Sequence, residues 1–181
     1  MTISPDYLRQ QQDLHANPNY GVASQIHAPI VAGILKRYNL TSLSDYGAGK
    51  RRLYSGLSQL GVQLDHYFPY DPVFPDYGPP RSAELLCCID VLEHIEIDYL
   101  DAVLDELQSL VTHYCYLTVH TGPAIKVLND GRNAHLIQAP ASWWLARLVS
   151  RFEVLHLQSM DMGFWVFGAP QQQKALINAR N

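Results

Sequence analysis

The segment Asp45-Tyr46-Gly47-Ala48-Gly49 places a carboxylate just ahead of two glycines separated by one residue. Glycine reaches positive φ at little cost and lets a ligand approach the main chain, and a helix opening after such a turn offers it unpaired amide hydrogens. Asp71, in Tyr70-Asp71-Pro72, follows Gly47 by 24 residues. At a strand end, an acid there can accept both hydroxyl hydrogens of a ribose diol. Asp90, Glu93 and His94 form a third group. Asp90 can face a ligand or cap a helix, Glu93 can be ligand-facing or a solvated first turn, and His94 is a candidate general base or a structural histidine. His120 closes a later apolar run and is the best-placed base by position. Arg132, Asn133 and His135 sit in a long polar segment that can grip a polar acceptor or close over a ligand.

Several chemistries are disfavoured by the same residues. A phosphate-binding loop of the form GxxxxGK[ST] would need a glycine where Ser44 stands and a hydroxyl where Arg51 stands. A nicotinamide fingerprint GxGxxG would need a glycine at Arg52, which ranks a nucleotide-binding oxidoreductase low. No HxH, HExxH or CxxC spacing occurs, so no metal is expected. Cys87 and Cys88 are adjacent in one apolar run and Cys115 lies in another, which reads as buried thiols. The triplet Lys50-Arg51-Arg52 reads as a solvated helix start rather than a phosphate contact.

The elements that must position these groups follow from periodicity. Ser4-Pro5-Asp6 is a helix start that ends before Asn17-Pro18-Asn19. Ile26, Ile30, Ile34 and Tyr38 mark a second helix face, with the regular part beginning near Ala28 or kinked at Pro29. A strand over 43–46 leads through the glycine turn into a helix carrying Leu53, Leu57 and Leu60. A second strand region spans 62–70, and the segment 72–80 holds four prolines and a glycine. The apolar run 85–89 reads as a strand covered on both faces. A helix with Ile97, Leu100, Leu104, Leu107 and Val111 follows, then a strand over 114–119, a long loop over 120–140 that reads as functional or mobile, a helix over 143–149, and a strand over 152–157 paired antiparallel with 163–168. Trp143 and Trp144 divide between core and an acceptor pocket, and Tyr20 and His27 are candidate lid residues. Alternating strands and helices make a three-layer α/β fold. We read residues 1–39 as a helical amino-terminal segment, 40–168 as the core and 169–181 as a polar tail, together one domain.

With 48% hydrophobic and 17% charged residues, the chain has material for a packed core and too little charge for disorder. A net charge of −4 supplies no basic field for nucleic acid or anionic membrane. No apolar run approaches the roughly 20 residues that span a bilayer, and a cytoplasmic location is expected.

Taken together, the DYGAG turn, YDP and IDVLEHI resemble the class I S-adenosylmethionine-dependent methyltransferases, in particular small forms related to the ubiquinone-biosynthesis type. The resemblance covers roughly residues 20–168. It implies a Rossmann-like sheet, S-adenosylmethionine as cofactor, and cofactor contacts from Asp45, Gly47, Ala48, Gly49, Asp71, Pro72 and Asp90. The glycine turn would lie beneath the methionine part and Asp71 on the ribose. It further implies methyl transfer to a small or polar acceptor, for which position makes His120 and His94 the candidate bases and Arg132, Asn133 and His135 the candidate acceptor contacts; a non-catalytic cofactor-binding module is the alternative. This chain departs from the pattern in having Arg51 where a third glycine often stands and Thr112-His113-Tyr114 in place of a Pro-Gly-Gly turn. Only 19 residues separate Asp71 from Asp90, too few for the usual helix and strand, so the third strand should be shortened or missing.

Overall fold

The computed structural model of the chain describes residues 2–171. Helix α1 (Pro5–His15) starts where its chemistry dictates: Pro5 occupies the first turn and the Ser4 hydroxyl accepts the Tyr7 amide hydrogen at 3.2 Å. A 3-10 turn over Ala23–His27 leads into α2 (Ala28–Tyr38), with Pro29 in its first turn, where a missing amide hydrogen costs nothing. The remaining helices are α3 (Arg52–Gln59), α4 (Ile97–Leu110) and α5 (Ala141–Leu148). The strands are β1 (Ser42–Tyr46), β2 (His66–Tyr70), β3 (Ala83–Cys88), β4 (Val111–His120), β5 (Phe152–Met160) and β6 (Gly163–Pro170).

These strands form one sheet in the order β2-β1-β3-β4-β6-β5. The neighbours from β2 to β4 pair parallel, whereas β6 runs antiparallel to both β4 and β5, as the turn-rich end of the sequence predicts. Between Asp71 and β3 the chain makes only a 3-10 turn over Pro75–Tyr77, so the third strand is missing and β2 is the sheet margin.

Alternation along β3 explains the layers. Leu85, Cys87 and Ile89 face Val31, Leu35, Leu53 and Leu57 of α2 and α3. Leu86 and Cys88 face Leu100, Leu104, Trp144 and Leu148 of α4 and α5. A strand buried on both faces must be apolar at every position, which is why this run shows no polar alternation. All three cysteines are free and buried, and burial pushes the Cys87 and Cys88 thiols well up, out of the reactive range.

Two expectations are corrected. The buried face of α2 is Ala28, Val31 and Leu35, with Ile34 and Tyr38 packed at its edge as expected; Ile30 is on the exposed side of the helix, and Ile26 is exposed because it belongs to the 3-10 turn, where helical spacing does not hold. The second strand begins at His66 rather than at 62, because the Val62 amide instead bonds the Leu57 carbonyl and closes α3. The 120–140 loop is folded: Val127 bridges Asn133 around a turn at Gly131, and Leu128 and Ala134 pack on Tyr7 of α1. Of the expected tail 169–181, Ala169 and Pro170 instead end β6, and the part beyond Gln171 lies outside the described residues. Among the described residues no helix is long and apolar enough to cross a membrane.

Candidate active site

The site lies at the carboxyl ends of β1, β2 and β3, where a parallel sheet opens a crevice. After β1 the chain turns through Gly47 at φ 77° and Gly49 at φ 48°, and the Gly47 and Ala48 amides both donate to the Tyr70 carbonyl, at 2.7 and 2.9 Å. A Cβ on Gly47 would overlap the Cγ2 methyl of Val91 and stand 3.1 Å from Cγ1, so glycine is needed here for space as well as for φ. Asp71, just beyond β2, accepts the Gly49 amide hydrogen at 3.0 Å and the Val73 amide hydrogen at 2.9 Å. Burial raises its carboxyl above the usual range, against the pull of those two amides and of Lys50. From the proline-rich segment, the Tyr77 hydroxyl donates to the Gly49 carbonyl at 2.9 Å. The carboxylate and the glycine turn are thus one hydrogen-bonded unit, and Gly47, Ala48, Gly49, Asp71 and Pro72 all line the cleft.

Beyond β3, Asp90 has φ 59° and donates its amide hydrogen to the Thr118 hydroxyl at 2.9 Å. Asp90 and His94 line the cleft. Glu93 is fully buried, not a solvated first turn: one carboxylate oxygen accepts the His120 amide hydrogen at 2.7 Å, and its main-chain carbonyl accepts the Ile137 amide. Burial, reinforced by Asp90, pushes this carboxyl up to about 8. The His94 ring Nδ1 lies 2.8 Å from the Ala134 carbonyl and that of His135 lies 2.8 Å from the Gly122 carbonyl. Ring centroids are 4.7 Å apart between His94 and His135 and again between His135 and His120. Burial lowers His94 to about 4 and lowers His135, so both rings are neutral near neutral pH.

The cleft is covered by the amino-terminal segment. Tyr7, Gln11, His15 and Tyr20 line it, and Lys50 donates to the carbonyls of Asn17 and Tyr20, both at 2.9 Å. The Ser4 amide and hydroxyl donate to Glu96 at 2.8 and 2.7 Å, which fastens α1 to the start of α4. Lys50 is therefore a strap for the cover and not part of a solvated helix start. Sequence reasoning missed the α1 contribution; its signal is a polar helix that nonetheless buries Tyr7 and Gln11, a tyrosine and an amide that line the cleft.

Of the residues expected here, Tyr20 reaches the cleft, while His27 instead bonds the Tyr116 hydroxyl at 2.7 Å. Five more do not line it, His135 among them, whose ring lies behind that of His94. Arg132 pairs with Asp130 at 2.7 Å in an exposed ion pair. Asn133 spends its amide on the loop, bonding both main-chain groups of Ala124 and the His135 amide. Asp45 is buried and accepts the Tyr67 hydroxyl at 2.6 Å, tying β1 to β2. The His120 ring stands behind His135, against Gly122, outside the cleft lining.

Asp45 carries a pH dependence. Burial pushes its carboxyl up to about 7, with the Tyr67 hydroxyl pulling down and Asp71 pushing up. A carboxyl raised above its unfolded value of about 3.9 binds its proton more tightly in the folded state. Its contribution to stability is therefore complete below about pH 4 and is lost as pH rises through about 7. Asp45→Asn keeps an acceptor for Tyr67 and cannot ionise, so it should melt at a higher temperature than the parent at about pH 8, with the gap shrinking at about pH 5. Melting curves at the two pH values check this; a gap independent of pH would mean that Asp45 does not titrate in this window.

No protein-family model matches the sequence, and no curated protein sequence matches it significantly. Solved structures do match. The chain superposes on the DhpI–SAH complex with a TM-score of 0.57 at 14% identity, covering 94% of this chain and 100% of that one. It matches the Burkholderia thailandensis 1,6-didemethyltoxoflavin-N1-methyltransferase, with bound 1,6-didemethyltoxoflavin and S-adenosylhomocysteine, at 0.59 and 12% identity, over 95% and 92% of the two chains. Human N-acetylserotonin methyltransferase in complex with SAM matches at 0.56 and 11% identity, over 92% of this chain and 55% of the other. The chain has the class I methyltransferase fold. Within that fold its cleft stands at the strand ends next to the glycine turn, and the sheet has six strands with β2 at one margin.

Proposed function

We propose that the protein is an S-adenosylmethionine-dependent methyltransferase acting on a small or polar acceptor. The observation that carries this reading is the hydrogen-bonded unit of Gly47, Ala48, Gly49 and Asp71 at the mouth of a covered cleft. In this reading the turn supports the methionine part of the cofactor, Asp71 and Pro72 meet the ribose side, and Asp90 stands where the cofactor side passes into the acceptor side. The cofactor supplies an electrophilic methyl on sulfur. Transfer is an in-line displacement, which depends on holding the two reactants about 3 to 3.5 Å apart and aligned, and no covalent enzyme intermediate is needed. The cover formed by α1 and Tyr20 excludes water from that approach.

The acceptor end is the histidine cluster. His94 faces the cleft, with His135 edge-on to it and His120 tilted beyond, so the His94 imidazole is the group placed to take a proton from an acceptor. The net charge of −4 favours a small acceptor over a nucleic acid. The test has two stages. Calorimetry with S-adenosylmethionine and S-adenosylhomocysteine should show one site per chain, and labelled cofactor should then transfer its methyl to a member of a panel of small hydroxyl- and amine-bearing acceptors. Absence of cofactor binding overturns the reading; binding without turnover on a broad panel would make the chain a cofactor-binding module.

A further inference from the structure

We infer that Asp90, His94 and His135 form a binding site for a divalent transition-metal ion at the acceptor end of the cleft. Each offers one ligand atom, and these atoms lie within 4.8 Å of one another. Two imidazoles and a carboxylate on an ion at about 2.1 Å stand about 3.5 Å apart, so small side-chain rotations close the set. The ligand set is mixed nitrogen and oxygen, which suits zinc, manganese or iron rather than calcium.

The surroundings of the rings carry the argument further than proximity alone. A histidine ligand holds its metal with one nitrogen while the other donates to a carbonyl or carboxylate, which fixes tautomer and ring orientation. Both histidines already have that arrangement. The Ala134 carbonyl takes the Nδ1 hydrogen of His94 and the Gly122 carbonyl takes that of His135, each at 2.8 Å, which leaves each Nε2 with a free lone pair. These carbonyls belong to the folded 120–140 loop, which Asn133 stiffens by bonding Ala124 on one side and the His135 amide on the other. Asn133 is thus a positioning residue for His135.

Two further features fit an ion. Asp90 stands at φ 59°, in the left-handed region that aspartate tolerates better than most residues, and its amide is fixed to Thr118, which sets where its carboxylate lies. Glu93, fully buried one residue before His94, has a carboxylate oxygen with no hydrogen-bond partner among the described residues. A buried oxygen left without a partner beside the histidines is the kind of polar atom that a bound ion and its water complete. Asp90 and His94 line the cleft, so positions not taken by protein open toward the acceptor. Three protein ligands leave at least one such position, and an acceptor oxygen is the group that would fill it. That last step rests on the methyltransferase reading; ion binding does not.

The test uses the full chain, stripped with a chelator and titrated with zinc chloride alone, without cofactor. One equivalent should bind, as read by calorimetry and by metal analysis after desalting. Proton–nitrogen spectra should show the Nε2 signals of His94 and His135 moving on zinc addition, while those of His66, His113 and His156 stay. His135→Gln and His94→Ala should each weaken zinc binding by about 100-fold or more, given that even losing a ligand's outer partner costs 10- to 100-fold. Unmoved His94 and His135 signals in the parent chain, or parent-like zinc affinity in both variants, overturns the site, and the parent spectra decide the matter should the variants not fold. S-adenosylhomocysteine binding is measured in parallel: zinc bound without it overturns only the methyltransferase reading, and the converse overturns only the metal site.

Discussion

Replacing Asp71 by alanine should weaken binding of S-adenosylhomocysteine about ten- to 150-fold. Hydrogen bonds to a charged group contribute about 1.5 to 3 kcal/mol, and each 1.4 kcal/mol is a factor of ten. The loss has two parts here. The ribose loses its acceptor, and the Gly49 and Val73 amides lose theirs, so the glycine turn loosens as well. Asp71→Asn separates the parts, because one oxygen can still hold one of the two amides. It should bind more tightly than Asp71→Ala and less tightly than the parent. Calorimetry on the three proteins decides the matter; equal affinity throughout would move the ribose elsewhere.

Gly47→Ala should cost more. The position has φ 77°, where a side chain adds about 1 to 2 kcal/mol of strain, and the new methyl overlaps Val91, a β-branched residue with little rotamer freedom. Overpacking adds about 1 to 3 kcal/mol more. Either the turn moves, breaking the amide bonds from Gly47 and Ala48 to Tyr70, or the Asp90-Val91 segment moves and distorts the acceptor end. Cofactor affinity should fall by more than about 100-fold on either path. Adding Val91→Ala removes both Cγ methyls and should restore part of the loss, leaving the φ strain. If Gly47→Ala binds like the parent, or if Val91→Ala gives no relief, the contact between turn and Val91 does not govern the site.

How much of this was legible in the sequence depended on whether a residue's role is local. The glycine turn, Asp71 and the two-faced burial of β3 follow from short-range constraints, namely a positive φ, a strand end and an unbroken apolar run. The missing third strand followed from chain length alone. The face of α2 was misread only at its start, where a 3-10 turn ahead of Pro29 shifts Ile26 out of phase and Ile30 turns to the exposed side, while Ile34 and Tyr38 pack as expected. Arg132 and Asn133 have the same residue types whether they grip a ligand or build a turn, and only the Asp130 pairing and the Ala124 bonds distinguish the two. The approach of His135 to His94 spans 41 residues of chain and depends on carbonyls, which carry no residue identity, so no spacing motif could announce it.

The missing strand has a consequence for association. A strand at the margin of a sheet offers unpaired main-chain groups to any other chain with an extended segment. β2 takes that position with only five residues, and one of them, Pro69, has no amide hydrogen to donate. The Arg81 guanidinium lies 4.1 Å over the Phe68 ring and puts a positive charge beside the same margin. A short strand, a missing donor and a fixed charge are the means by which sheets discourage growth. The strand removed from this edge has therefore left no template on which further chains can add.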